Sequence, residues 1–164
     1  MRLSKNFTLK ELTHSNTAVR LGIDNTPDKE GICNLTLLAT ELLQPIRDRI
    51  GALRVTSGYR SPELNAIFGA NRSQHMLCEA VDLQFVKRGK MDNLQIYQAV
   101  MDLDLDFDQL ILEFGDSTMY NDPMRPAWIH ISWTVRENRK QVLVAYKDEN
   151  NKTKYRPINT LNSI

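Results

Sequence analysis

The 164 residues are 41% hydrophobic and 25% charged, which fits one globular domain around a single core and calls for no second one. The 21 basic and 20 acidic residues are spread along the whole chain and leave a formal net charge of +1, so the sequence carries no electrostatic footprint for nucleic acid or anionic lipid. Two cysteines, Cys33 and Cys78, are too few for a disulfide scaffold and read as free thiols.

The opening MRLSKNFTLKELTHS lacks the apolar stretch of a secretory signal, and no run approaches the roughly 20 residues that cross a bilayer. The expectation is a chain without a transmembrane segment, made and held in a cytoplasm.

Thr8 followed by Glu11 is a capping box, with Phe7 at the staple position, and predicts a short helix from about Leu9. Thr26-Pro27 then opens a long amphipathic stretch in which Ile32, Leu35, Leu38, Leu42, Leu43, Ile46 and Ile50 recur at three-and-four spacing up to Gly51. Pro45 lies inside it and, lacking an N–H, must bend the helix or break its ladder near Glu41.

Leu53 to Thr56 reads as a strand, and Ser61-Pro62 as the cap and first turn of a helix ending at Gly69. Residues 70–79 are then loop. Ala80 to Phe85 alternates, with Val81, Leu83 and Phe85 on one face and Ala80, Asp82 and Gln84 on the other. Asp92 caps a helix through about Met101. Gln109 to Phe114 is a strand, Gly115 to Pro126 a long loop, and Ala127 to Thr134 a strand with Trp128, His130 and Ser132 on one face. Val142 to Tyr146 and Lys154 to Pro157 flank DENNK as a hairpin, followed by a flexible end.

Asp82 and His130 both fall on the more polar face of a strand, and His75 lies in the loop leading to the first of them. Two imidazoles and a carboxylate form the donor set of a catalytic zinc site, which takes three protein ligands and keeps a fourth position for water. With one carboxylate the centre retains a charge of about +1, enough to acidify water toward neutrality. The same residues also suit a plainer role: a lone histidine is commonly a surface or satisfied core residue, and a strand aspartate often faces solvent.

The wider pattern carries more information. SGYRSPELN at 57–65, SQH at 73–75, EAVDL at 79–83 and WIHIS at 128–132 resemble the peptidase M15 family, the zinc peptidases related to D-alanyl-D-alanine carboxypeptidase, and most closely its compact phage-type members. FTLKELTHSNTAVRLGIDNTP and LLQPIRDRIG look like the same family's opening, so the resemblance spans roughly residues 6–135 of a single 1–164 domain.

The resemblance implies a small α+β domain of the Hedgehog/DD-peptidase type, with a central antiparallel sheet carrying the metal. It implies Zn2+ held by His75, Asp82 and His130, and Arg60 paired with a substrate carboxylate or carbonyl, a role its planar fork suits. Ser73 and Gln74 either add hydrogen bonds at the same mouth or cap the loop. The implied activity is cleavage of peptidoglycan stem peptides by a phage or prophage lysis factor that reaches the wall only after release from the host cytoplasm.

Two departures stand out. Where many relatives have glycine, this chain has Cys78, so a residue with a Cβ must adopt any backbone angle that glycine would supply. The acidic residue that several branches carry three positions before the last histidine is here Ala127, which exchanges no proton. The EFG of LILEFG resembles a segment that phage-type relatives carry shortly before the Trp-x-His strand, which implies Glu113 as the replacement general base, with Asp108, Asp116 and Asp122 as weaker candidates and Trp128 packing beside the site. Ala127 also supports a different reading, an idle module that binds wall peptide without cutting it.

Overall fold

The computed structural model describes residues 1–69, 72–115 and 125–158. The flexible end, most of the long loop before Pro126, and the candidates Asp116 and Asp122 lie outside them.

Side-chain caps start the first helices. Thr8 accepts from the Glu11 N–H at the head of α1 (Leu9–Thr13), and Ser15 caps α2 (Asn16–Leu21), which closes on Gly22 in the left-handed conformation. The sequence reading passed over α2 because six residues offer too little periodicity to detect.

The long amphipathic stretch is one helical rod with a fault in it. α3 (Lys29–Leu38) passes into a π turn at Ala39–Leu43 and resumes as α4 (Gln44–Ile50). Gln44 N–H donates to Ala39 five residues back, immediately before Pro45, so the ladder is re-spaced where the proline removes a donor.

The sheet is built from β1 (Leu53–Ser57), β2 (Ala80–Lys87), β3 (Lys90–Met91), β4 (Gln109–Gly115), β5 (Pro126–Ser132), β6 (Gln141–Lys147) and β7 (Thr153–Pro157). The order is β1-β2-β5-β4-β6-β7, with β3 a short extension paired to β2. α5 (Pro62–Ile67) and α6 (Leu94–Asp102) complete an α+β domain.

The expectation of an antiparallel sheet fails at one pairing, because β4 and β6 run parallel with Gln109 opposite Gln141. β5 returns antiparallel to β4, so the chain leaves it at the end where β4 begins. The turn 133–140 crosses that end, and β6 starts there in the direction of β4. The C-terminal hairpin therefore widens the sheet instead of covering it.

Alternation sorts the two faces. Val81, Leu83, Phe85, Leu110, Leu112, Ile129, Ile131 and Val144 pack with Leu35, Leu38, Leu42 and Ile46 of the rod and Ile96 of α6. Each fully buried Leu or Ile contributes about 1.5–3 kcal/mol of burial, so this layer anchors the domain. The opposite face carries Asp82, His130, Ile111, Glu113 and Leu143, and opens on a cleft. Ala80 to Leu83 are all buried, so both faces of β2 are sequestered there, beyond the one buried face that alternation implies.

Candidate metal centre

The site begins with sheet register. Asp82 on β2 is the direct cross-strand partner of His130 on β5, and His130 is in turn opposite Ile111 on β4. Glu113, two residues beyond Ile111, shares their face. Two rigid strands thus hold a carboxylate and an imidazole together, with Asp82 Oδ1 at 2.9 Å from His130 Nδ1.

His75 reaches the same carboxylate from the loop before β2, its Nε2 3.4 Å from Asp82 Oδ1. Its other nitrogen, Nδ1, lies 2.7 Å from the Gly58 carbonyl. A carbonyl only accepts, so Nδ1 carries the proton and Nε2 is left with its lone pair, the form that binds a metal. Gly58 is fixed in turn: a Cβ there would collide with the Leu12 carbonyl, which accepts from Tyr59 N–H at 2.8 Å. The SGYR stretch therefore works partly through its glycine, as a backbone support for His75.

Burial pushes His75 below the ordinary imidazole value, against the pull of Asp82, so its ring is held neutral. Burial opposes ionisation of Asp82, but the two imidazoles outweigh it and hold the carboxyl well below the usual range. The Nε2 edge of His75 and the Asp82 carboxylate face each other at 3.4 Å, with the Arg60 guanidinium on the other carboxylate oxygen. The three donor atoms all lie within 4.8 Å of one another. Bond lengths near 2.0–2.1 Å in a tetrahedral zinc site place ligand atoms about 3.3 Å apart, and the two separations from Asp82 Oδ1, 2.9 and 3.4 Å, are close to that. The residues fit a metal of this kind.

Arg60, the expected partner of a substrate carboxylate or carbonyl, also contacts the trio. Its Nη2 donates to Asp82 Oδ2 at 2.9 Å, its Nε donates to Ser57 Oγ at 2.9 Å, and its guanidinium lies 5.1 Å from the Phe68 ring centroid. It lines the cleft while orienting the carboxylate. Ser73 Oγ accepts from His75 N–H at 3.3 Å, and Gln74 donates to Asp108 Oδ2 at 2.8 Å, so both brace the loop at the cleft edge.

Glu113 is buried in the same cleft; burial pushes its carboxyl up to about 7, with His130 opposing and Asp82 adding. Asp108 is occupied elsewhere: Arg139 grips both of its oxygens at 2.7 and 2.6 Å and, with Gln74, holds it ionised. Trp128 does pack beside the site, edge-on to Phe114 with ring centroids 5.4 Å apart. The cleft measures about 1280 Å³.

Both departures acquire a physical reading. Cys78 has φ 59°, so a residue with a Cβ does adopt the left-handed conformation, and its thiol is buried and pushed up to about 12, mainly by burial. It is an inert packing group rather than a ligand. Ala127 sits three residues before His130 on β5, so its side chain faces the other side of the sheet, while its carbonyl accepts from Asn93 at 2.9 Å and from Gln84 at 3.1 Å. No side chain at 127 reaches His130 in this register.

Sequence reasoning missed two further cleft residues, Arg136 and Arg139, whose buried partners Glu79 and Asp108 are distant in sequence. No local pattern in VRENR reveals such pairs.

The profile of the peptidase M15 family matches residues 5–118, which include Arg60, His75, Asp82 and Glu113. The chain belongs to the peptidase M15 family. That places this M15 domain among the zinc peptidases in kind, and His75, Asp82 and His130 are a group able to hold the metal. His130, and the strands β5 to β7, lie beyond the matched span of the M15 domain. Comparison with curated proteins and with solved structures gives no significant match.

Proposed function

We propose that this M15 domain is a zinc-dependent peptidase that cleaves peptidoglycan stem peptides, of carboxypeptidase or endolysin type, encoded by a phage or prophage, with the Hedgehog/DD-peptidase fold. The observation that carries the reading is the convergence of His75, Asp82 and His130 on one face of the sheet with Glu113 beside them in a single cleft.

When bound, zinc supplies Lewis-acid polarisation of the scissile carbonyl and lowers the pKa of water. His75 is held in the metal-binding tautomer by Gly58, and Asp82 is oriented by Arg60. Glu113 takes a proton from the attacking water and returns it to the departing amine as the peptide bond breaks. Burial suits it to this exchange, since a carboxyl raised toward neutrality both accepts and releases a proton at working pH. Glu113, rather than a group at position 127, supplies the base on this reading, since the Ala127 side chain lies on the opposite face of β5 from His130.

The test is incubation of the zinc-loaded protein with defined muropeptides, products identified by mass spectrometry against a chelated control. Zinc-dependent cleavage supports a peptidase and names the bond. Absence of cleavage from pentapeptide, amidated and cross-linked stems overturns it in favour of wall-peptide binding.

A further inference from the structure

The turn 133–140 between β5 and β6, which lies outside the span matched to the family, contributes Thr134, Arg136, Glu137 and Arg139 to the lining of the cleft. It carries two arginines that are charged, half-exposed and yet fixed in place. Arg136 donates from Nη2 to both oxygens of Glu79 at 2.9 Å, and from Nε to Thr134 Oγ1 at 3.1 Å. Arg139 grips Asp108 through Nε and Nη2. Both carboxylates are buried, whereas the arginine side chains are 66% and 55% exposed.

The backbone beneath them is pinned as well. Trp133 N–H donates to the Glu79 carbonyl at 2.9 Å, Thr134 N–H to Asn138 Oδ1 at 3.0 Å, and Lys140 N–H to the Phe107 carbonyl at 3.0 Å. In each guanidinium the recorded bonds use Nε and Nη2, so among the described residues the Nη1 hydrogens have no acceptor. Glu137 is the acidic residue of the turn that also borders the cleft, and Arg72 adds another cation from the facing loop.

A guanidinium already held on one edge loses little freedom when its other edge meets an anion, and its planar fork matches a carboxylate. Resting on the reading above, we propose that Arg136 and Arg139 form a carboxylate-recognition subsite for the peptide in the cleft. The acid read there lies away from the bond that is cut, such as the α-carboxylate of the glutamate in a wall stem. The anion belongs to the peptide because the arginines border the same cleft as the metal trio.

The probe is a synthetic stem pentapeptide, Ala-γ-D-Glu-Lys-D-Ala-D-Ala, with the glutamate α-carboxylate either free or amidated. Binding of each form to the zinc-loaded Glu113→Gln protein is measured by calorimetry, alongside turnover by the wild type. Paired variants, Glu79→Gln with Arg136→Gln and Asp108→Asn with Arg139→Gln, remove each arginine without stranding a buried charge. The expectation is that amidation weakens binding at least tenfold in the parent and less than threefold once both pairs are replaced. Equal binding of the two forms by the parent, or an amidation penalty that survives both replacements, overturns the subsite. Absence of wild-type turnover overturns the peptidase reading instead, and the binding comparison still decides the subsite.

Discussion

Asp82 and His130 face each other across β2 and β5, and a single oxygen of Asp82 is approached by both histidines, at 2.9 Å from His130 and 3.4 Å from His75. The carboxylate is thus the hub of the trio. Asp82→Asn keeps its shape and removes its charge, and zinc affinity measured by chelator competition falls by more than a hundredfold. Arg60→Gln removes only an outer partner and lowers affinity by about 10–100-fold. Equal affinities for the two variants would mean that Asp82 is no ligand.

On the proposed reading Glu113→Gln leaves His75, Asp82 and His130 in place, and the variant is expected to retain stoichiometric zinc. Its kcat on a cleaved muropeptide falls by about a hundredfold to ten-thousandfold, the range a positioned general base supplies. Turnover at the wild-type rate would move the base to another group.

Gly58 is held against the Leu12 backbone, and that close approach leaves no room for a methyl group. Gly58→Ala costs about 3 kcal/mol or more in urea unfolding, as expected when backbone itself must shift. The protein that still folds binds zinc more weakly, since the Gly58 carbonyl sets the His75 tautomer.

The two thiols differ in environment, Cys33 exposed and Cys78 buried. A thiol reagent therefore labels one equivalent per native chain and two after denaturation. At position 78 a left-handed backbone costs a residue with a Cβ about 1–2 kcal/mol. Cys78→Gly relieves that cost while Cys78→Ala retains it, so the glycine variant is the more stable of the two by chemical denaturation.

Asp108 gives the fold a pH dependence of known sign. The bonds from Arg139, then that from Gln74, hold its carboxyl below the usual carboxylate range. Its stabilisation is fully present above the ordinary value and is lost as pH falls through the lowered folded value. Asp108→Asn removes that share, so its urea midpoint falls less than that of the wild type on acidification from the ordinary carboxylate range downward.

Local chemistry made much of the fold legible. Caps at Thr8 and Ser61 mark helix starts because one side chain satisfies one backbone donor, and Val81, Leu83 and Phe85 mark a strand because alternation needs no distant partner. The order of His75, Asp82 and His130 was readable too, through resemblance. What stayed hidden depends on residues far apart in sequence: the parallel pairing of β4 with β6, the grip of Arg60 on Asp82, and the arginine pairs to Glu79 and Asp108. The π turn before Pro45 was half visible, as a forced break whose form the sequence left open.

β5 is the central strand that joins β2 to β4, yet more than 120 residues precede it. During synthesis β2 and β4 both emerge before the strand that must lie between them. A nascent chain that has reached only β4 presents two apolar strands with open edges and a candidate metal site that still lacks His130. The emerging protein is therefore most exposed to mispairing in the interval before Ile129 and Ile131 leave the ribosome, and the trio able to hold a metal is complete only late in synthesis.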